Sequence, residues 1–405
     1  MNYDVIVIGS GLGGMLTAAS LSKTKKVLVL EQYNRIGGRF SSYDIEGYKV
    51  PTGAFHTIPY GANGALGKLA QSLGINRIKS FPGICLYSYK GRFYGLNHAQ
   101  DLMSLFNFME FGTMTKLIGE KVSLMDPNIT MDAYLKKGYI TDKTYSFFNS
   151  FSGFSMGLLL DQISAKEYIS VIQTMARFHN PGYVEGGCGA FMEDLKNIIL
   201  GNGGEIKTEE KVTEIISLEG VLKGVRGNED YFADKIVYNG NPNYLNEICN
   251  NAVDLKEPLK PSCGVAMHFG SDEPIYKWSG IMICIGTKYI PGVVCQSVYD
   301  KTLAPEGKYL CSTCFASSGN LKEDMKNAKE ELAEIFGREK VDKLKLLRVC
   351  NYTERWPANY AAQGTDIDVT TNYPNLYLVG DGCKESGYIM VEGVARSVSR
   401  VLEKI

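Results

Sequence analysis

The hydrophobic and polar positions change period twice at the start of the chain. Residues 2–9 contain the unbroken apolar run Val5-Ile6-Val7-Ile8 and end in glycine, the pattern of a strand buried on both faces. Residues 15–22 then read as a helix, with Ala18 and Ala19 small enough for close packing on a sheet. After the polar turn 23–26, residues 27–30 form a second buried run that ends at Glu31. Strand, helix and strand in this order predict a parallel βαβ unit.

The turn between the first strand and the helix reads Gly9-Ser10-Gly11-Leu12-Gly13-Gly14, with glycines at the first, third and sixth places of G-x-G-x-x-G. Gly9 permits the tight turn, Gly11 lets the backbone approach a pyrophosphate, and Gly14 lets helix and strand pack closely. The helix start offers free N–H groups and a positive dipole end to that anion. Glu31, with Gln32 beside it, stands at the end of the second strand, placed to accept hydrogen bonds from an adenosine ribose. NAD and FAD both use this unit, so it does not choose between them.

Further along, 190–200 reads as a helix and 221–225 with 230–233 as a small meander around Gly227-Asn228. Residues 234–238 read as a return strand into the loop Asn239-Gly240-Asn241-Pro242. Near the end, 376–379 is a buried strand running into Gly380-Asp381-Gly382, and 391–404 is a helix with Val394, Val398 and Val401 on one face. Residues 84–89 and 92–96 form a hairpin at Lys90-Gly91, and 263–269, 281–285, 293–298, 309–315 and 346–351 are strand candidates. Leu102, Leu105, Phe106 and Met109 fall at helical spacing, with Phe108, Phe111, Met114, Leu117 and Ile118 adding apolar content. This stretch reads as a core helix or as a greasy entrance that dips into a membrane surface, and residues 154–160 suit either reading.

At 405 residues the chain exceeds the length at which one core usually splits, so two domains are expected. Lys and Arg total 43 against 44 Asp and Glu, which gives no electrostatic pull toward nucleic acid or anionic lipid. The start has no basic segment or small-residue cleavage site, no apolar run is long enough to cross a bilayer, and the ten cysteines read as reduced thiols, so a cytoplasmic location is expected. Cys311 and Cys314 lie on a strand at an offset of three, which points them to opposite faces. No metal-ligand spacing appears among the histidines His56, His98, His179 and His268 or the cysteines.

Arg35-Ile36-Gly37-Gly38-Arg39-Phe40-Ser41-Ser42 resembles the second glycine motif of the amine oxidase and phytoene desaturase superfamily of flavoproteins. The resemblance continues through residues 47–56, where Pro51 stands in place of the usual acid, and through Tyr183-Val184-Glu185-Gly186-Gly187, Gly203-Gly204-Glu205-Ile206 and 211–216. It ends with Gly380-Asp381 and 387–395, and is dense over about half of the chain. It implies an α/β fold: a Rossmann-like FAD-binding domain of the glutathione reductase type with an inserted α+β substrate domain. The implied FAD-binding pieces are 1–80, 181–251 and 348–405, and the substrate domain is 81–180 with 252–347.

FAD held non-covalently is the implied cofactor. Its binding residues would be Gly9, Ser10, Gly11, Leu12, Gly13, Gly14, Glu31, Gln32, Gly37, Gly38, Arg39, Phe55, His56, Val212, Gly380, Asp381, Ile389, Met390 and Val391. The Gly37-Gly38-Arg39 backbone would close over the diphosphate, the Val212 backbone would meet the adenine edge and Asp381 the ribityl hydroxyls. The helix after Ile389 would point its positive end at the flavin pyrimidine. His56 is the candidate for a hydrogen bond to ring or substrate; its other reading is a satisfied structural histidine. The flavin would carry the chemistry: hydride transfer, desaturating or saturating an apolar, isoprenoid-like small molecule. Gly-Asp rather than Gly-Glu at 380–381, and residues 183–187, bring the chain closer to the phytoene desaturase and retinol saturase branch. An amine oxidase is the alternative within the superfamily. A non-catalytic prenyl-binding escort related to Rab GDP-dissociation inhibitors is the alternative from another class.

Overall fold

The computed structural model describes residues 2–81, 84–97, 110–138, 140–178, 180–218 and 221–405. His98, His179 and the apolar stretch 102–109 lie outside the described residues.

Hydrophobic period sets the strand order. The fully buried runs Asn2–Ile8 and Val27–Leu30 sit inside a seven-stranded sheet, as expected where helices cover both faces. Across it run Glu205–Lys207, Val27–Leu30, Asn2–Ile8, Asp230–Tyr238, Val221–Arg226 and Glu214–Leu218, and Leu376–Leu378 also pairs with Asp230–Tyr238. The second arm of the meander and the return strand expected from the sequence are one continuous strand, Asp230–Tyr238. Its first half alternates exposed and buried where it pairs antiparallel with Val221–Arg226, and its last three residues are buried where it lies parallel to Asn2–Ile8 and Leu376–Leu378. The change of period that suggested two strands marks the passage from the sheet margin to its centre.

The first helix, Leu12–Leu21, starts earlier than its apolar pattern indicates, because Leu12, Gly13 and Gly14 already form its first turn. With Ala65–Ser72, Gly187–Gly201 and Met390–Leu402 it packs around the sheet in one continuous core, where Val5, Met15, Phe191 and Val398 are fully buried. Each such side chain contributes roughly 1.5–3 kcal/mol. The helix Met390–Leu402 buries Val394, Val398 and Val401, the valine face read from the sequence.

A second seven-stranded sheet runs Lys345–Tyr352, Gly264–Ser271, Tyr309–Phe315, Gly292–Cys295, Gly280–Ile285, Ile84–Tyr89 and Arg92–Asn97. The strand expected over 293–298 stops at Cys295 and turns into a 3-10 segment, where buried Gln296 is drawn toward the His56 N–H and the Ser312 hydroxyl. Cys311 and Cys314 do face opposite sides, Cys311 in the core beneath Leu321–Phe336 and Cys314 against Ala266 and Tyr352. The helices Phe111–Gly119, Met131–Lys136, Asp142–Met156 and Ala165–Phe178 surround a third core. Among the described residues no helix is long and apolar enough to cross a membrane.

Gly14 is a tight point in the packing of the first helix on the first strand, since a Cβ added there would lie 2.1 Å from the Gly9 carbonyl oxygen. The obstructing atom is backbone and cannot rotate away. Gly14→Ala should therefore destabilise the protein by about 3 kcal/mol or abolish soluble expression. Gly201→Ala, where an added Cβ meets nothing within 4 Å, should leave the melting temperature unchanged or raise it slightly. Equal melting temperatures for the two variants would contradict this packing.

Candidate functional site

Four parallel strands end together. Leu30, Ile8, Tyr238 and Leu378 stand in line across the sheet, so the residues that follow them gather at its carboxyl edge, where open α/β sheets bind ligands. Those residues are Glu31, Gly9, Asn239 and the Val379-Gly380-Asp381 turn. The Asn239 amide, oriented to accept from the Gly11 N–H at 3.1 Å and donate to the Val379 carbonyl at 3.3 Å, ties the first glycine turn to the last. The second glycine loop docks beside it through Gly37 N–H donating to the Ser10 carbonyl at 2.9 Å.

A cavity of about 710 Å³ runs along this edge, within the size range of small-molecule sites. Gly9, Gly11, Leu12, Gly13, Glu31, Gln32, Gly37, Gly38, Arg39, Phe55, Val212, Gly380, Asp381, Met390 and Val391 all line it. Gly38 has φ of 53° and no atom nearer than 3.9 Å to an added Cβ, so any other residue there would fill the floor.

One end is polar. Glu31 is buried, its Oε2 accepting from the Ser10 N–H at 2.9 Å and hydroxyl at 2.6 Å and its Oε1 from the Tyr33 N–H at 2.9 Å. Val212 stands close by, its N–H and C=O unengaged by any described residue. The other end is apolar, formed by Ala54, Phe55, Phe154, Met156, Val265, Phe315, Met390 and Val391. The Phe55 and Phe154 rings meet there at 5.1 Å, and Gly292 leaves room for Phe154, which an added Cβ would meet at 2.2 Å.

Between the ends, Arg39 and Asp381 form a two-pronged ion pair at 2.7 and 3.0 Å. Arg39 also donates to the carbonyls of Pro357 and Ala358 at 3.0 and 2.8 Å and lies over the Tyr360 ring. The Tyr360 N–H donates to Asp381 at 3.1 Å. Burial raises the Asp381 pKa, but the Arg39 charge and hydrogen bonds outweigh it and hold the carboxyl below its ordinary value. Burial works against the Arg39 cation, and Asp381 reverses that and raises its pKa.

Ser10, Gly14, His56 and Ile389 do not reach the cavity. Ser10 holds Glu31, Gly14 packs helix on strand, and Ile389 lies in the helical core. His56 is fully buried behind the wall, its Nε2 donating to the Lys49 carbonyl at 2.8 Å and its Nδ1 accepting from the Cys188 N–H at 3.1 Å. Burial lowers its pKa to about 4, against the raising effects of Lys49 and Asp300. Of its two readings the geometry matches the structural one: both nitrogens are occupied and the ring does not face the cavity. Among the described residues no group of three His, Cys, Asp or Glu side chains could hold a metal ion.

Residues 7–73 match the family described as NAD(P)-binding Rossmann-like domain. Over 404 residues the chain is 34% identical to "Uncharacterized protein MJ1488" of Methanocaldococcus jannaschii, covering 98% of each. It is 24% identical to prolycopene isomerase of Daucus carota over 83% of this chain and 66% of that one. A stretch of 66 residues, 16% of this chain and 11% of the relative, is 44% identical to all-trans-retinol 13,14-reductase of Homo sapiens. Among solved structures, an oxidoreductase from Methanosarcina mazei superimposes with TM-score 0.88 at 30% identity over the whole of both chains. Putrescine oxidase bound to putrescine shares the fold, with TM-score 0.76 at 14% identity over 100% of this chain and 98% of that one. The chain belongs to the amine oxidase and phytoene desaturase superfamily of flavoproteins. Its fold is the superfamily's Rossmann-like α/β architecture.

Sequence reasoning did not foresee how several residues reach this cavity. Asn239 was legible only as part of a loop, and its bridging role depends on pairing between distant strands. Phe154 and Met156, in the 154–160 stretch that suited either a core helix or a greasy entrance, are brought to the cavity by the last turn of Asp142–Met156, a helix whose start the apolar pattern did not reveal. Met390, at the start of the last helix, has φ of 50°, a left-handed conformation that costs a non-glycine residue about 1 kcal/mol or more. Its surroundings fix it: Glu167 accepts from the Ser386 hydroxyl and Gly387 N–H at 2.6 and 2.9 Å, and the Tyr60 hydroxyl donates to the Gly387 carbonyl at 2.6 Å.

Glu392, two residues on, is fully buried and accepts from the N–H groups of Tyr60 and Leu66 at 3.2 and 3.0 Å, tying the last helix to the start of Ala65–Ser72. Burial raises its pKa from 4.5 to about 7 despite these hydrogen bonds. The folded protein therefore binds this proton more tightly than the unfolded chain, and stability should fall as pH rises from about 4.5 to about 7. The loss is on the order of 3 kcal/mol. Glu392→Gln removes the titration, so urea unfolding at pH 5 and pH 8 should show wild type losing stability relative to the variant. Parallel pH profiles would refute it.

Proposed function

We propose that this chain is an oxidoreductase that binds FAD non-covalently and passes a hydride between the flavin and an apolar, isoprenoid-like small molecule. The observation that carries the reading is the single cavity: a ribose-ready carboxylate at one end, a glycine floor in the middle and an apolar chamber at the other. The binding residues are those lining it, with Glu31 for the ribose, the Val212 backbone for the adenine, Gly11, Gly13 and Gly38 for the diphosphate, and Met390 and Val391 at the flavin end.

The bound flavin would supply the hydride acceptor or donor. The chain's own part is to orient and to exclude water. Phe55, Phe154, Met156 and Val265 would hold an apolar substrate in the chamber, and the amide groups at the start of Met390–Leu402 would favour negative charge beside it. We assign residues 1–80, 181–251 and 348–405 to cofactor binding and 81–180 and 252–347 to substrate binding, with the strand Lys345–Tyr352 crossing the joint.

The relatives named prolycopene isomerase and all-trans-retinol 13,14-reductase support the isoprenoid class. The cavity disfavours an amine oxidase. Among the described residues its carboxylates are Glu31, Glu210, Glu247 and Asp381, away from the Phe55 and Phe154 chamber, and its lysine is Lys211, beside Val212. The intact Glu31 and glycine floor weigh against a non-catalytic escort.

The purified protein should be yellow, with flavin absorbance released on denaturation. Glu31→Ala should weaken FAD binding at least about tenfold, roughly 1.4 kcal/mol, measured by flavin fluorescence. An affinity equal to wild type would remove Glu31 from the site. Anaerobic mixing with isoprenoid polyenes or retinoids, in both flavin oxidation states, should change the flavin spectrum, whereas polyamines should not. The reverse pattern would favour the amine oxidase reading.

A further inference from the structure

A bound diphosphate brings negative charge into a crevice whose wall has little positive charge left to meet it. The cations on that wall, among the described residues, are Arg39, Lys211 and Arg355. Arg39 is committed to Asp381, two carbonyls and the Tyr360 ring. Its charge is balanced by Asp381, and both terminal nitrogens already have acceptors. Lys211 sits beside Val212, at the adenine end. The amides at the start of Leu12–Leu21 offer a partial positive charge, but a helix end equals only about half an elementary charge.

Arg355 differs from Arg39 in every respect. It is exposed, and no ion pair, hydrogen bond or ring contact engages it among the described residues. It rides a tight turn whose ends exchange hydrogen bonds, the Thr353 N–H to the Trp356 carbonyl at 3.2 Å and the Trp356 N–H to the Thr353 carbonyl at 3.0 Å. Both sides of the cavity hold that turn. Trp356 packs edge-on against Tyr33 at 5.9 Å, two residues beyond Glu31. Directly after it, the carbonyls of Pro357 and Ala358 accept from Arg39, the neighbour of Gly38 on the floor. The turn thus links the flank of Glu31 to the second glycine loop, and Arg355 on it lines the cavity with a guanidinium free of other partners among the described residues.

We propose that Arg355 is the cation that closes over the cofactor's diphosphate. This rests on the flavin reading above. A planar guanidinium pairs with phosphate oxygens in two-pronged fashion, and its long stem lets it swing aside to admit the cofactor and fold back over it. Retention of FAD then depends on salt through an exposed charge, because mobile ions screen such an interaction.

The test titrates FAD into flavin-stripped full-length protein, following flavin fluorescence at about 50 mM and about 500 mM salt. Riboflavin, which lacks phosphates, is titrated in parallel. Arg355→Gln should weaken FAD binding about tenfold at low salt, flatten its salt dependence and leave riboflavin binding unchanged, with Arg355→Lys intermediate. Arg338→Gln, which removes an exposed arginine paired with Glu330 away from the cavity, should match wild type. An FAD affinity for Arg355→Gln within about twofold of wild type, or equal weakening of FAD and riboflavin, overturns the proposal and leaves the flavin reading standing. A wild-type protein that binds no FAD overturns both.

Discussion

Arg39 and Asp381 are 342 positions apart in sequence and meet in a two-pronged ion pair, and the shape of the cavity depends on that meeting. Arg39 belongs to the second glycine loop and Asp381 to the turn after the last buried strand. The carbonyls of Pro357 and Ala358 come from a third loop. One guanidinium thus helps fix the relative positions of three segments far apart in sequence. A buried pair of this kind is no cheap source of stability, because desolvation offsets most of the attraction. Removal of one partner, however, leaves the other uncompensated, at a cost of roughly 3–5 kcal/mol. The pair therefore acts chiefly as a register device: the chain closes with these loops aligned or it buries a lone charge.

The ion pair also sets the electrostatic character of the crevice. A guanidinium beside a glycine-rich floor looks like an anion receptor, yet its donors are used internally. Attraction for an anion falls instead to helix-end amides and to cations outside the pair. A carboxylate pinned by Ser10 and the Tyr33 N–H completes the polar end. These contacts fix the Glu31 carboxylate where it lines the cavity.

The glycine-turn half of the cavity was legible in the sequence because its determinants are local. Gly9, Gly11, Gly14 and Glu31 are set by the geometry of a single βαβ unit, and fully apolar runs mark its central strands. Where the period changed within one element, as in Asp230–Tyr238, the pattern was split in two, since alternation and continuous burial are the usual marks of separate strands. The apolar chamber was less legible. Phe154 and Met156 lie on a helix of mixed character, rich in Ser and Phe, whose inward turn is decided by Pro291 and Gly292 on a neighbouring sheet. Nothing within residues 142–156 encodes that neighbour. His56 lies behind the cavity wall for a related reason: its place beside a glycine motif gives proximity along the chain, whereas its hydrogen bonds to the Lys49 carbonyl and the Cys188 N–H hold the ring there.

Two unfavourable features lie side by side at the start of the last helix: the left-handed backbone of Met390 and the buried carboxyl of Glu392. Either alone would pull this turn toward a more relaxed arrangement. They persist because neighbours from two distant segments overdetermine the position: Glu167 holds Ser386 and Gly387, Tyr60 holds the Gly387 carbonyl, and the Tyr60 and Leu66 amides hold Glu392. Strain retained under such constraint is typical of a surface kept in one shape for a ligand. Here the surface is the Met390 and Val391 edge of the cavity. Its shape is governed by groups that do not line it, so substitutions at Glu167 or Tyr60 act on the site from behind.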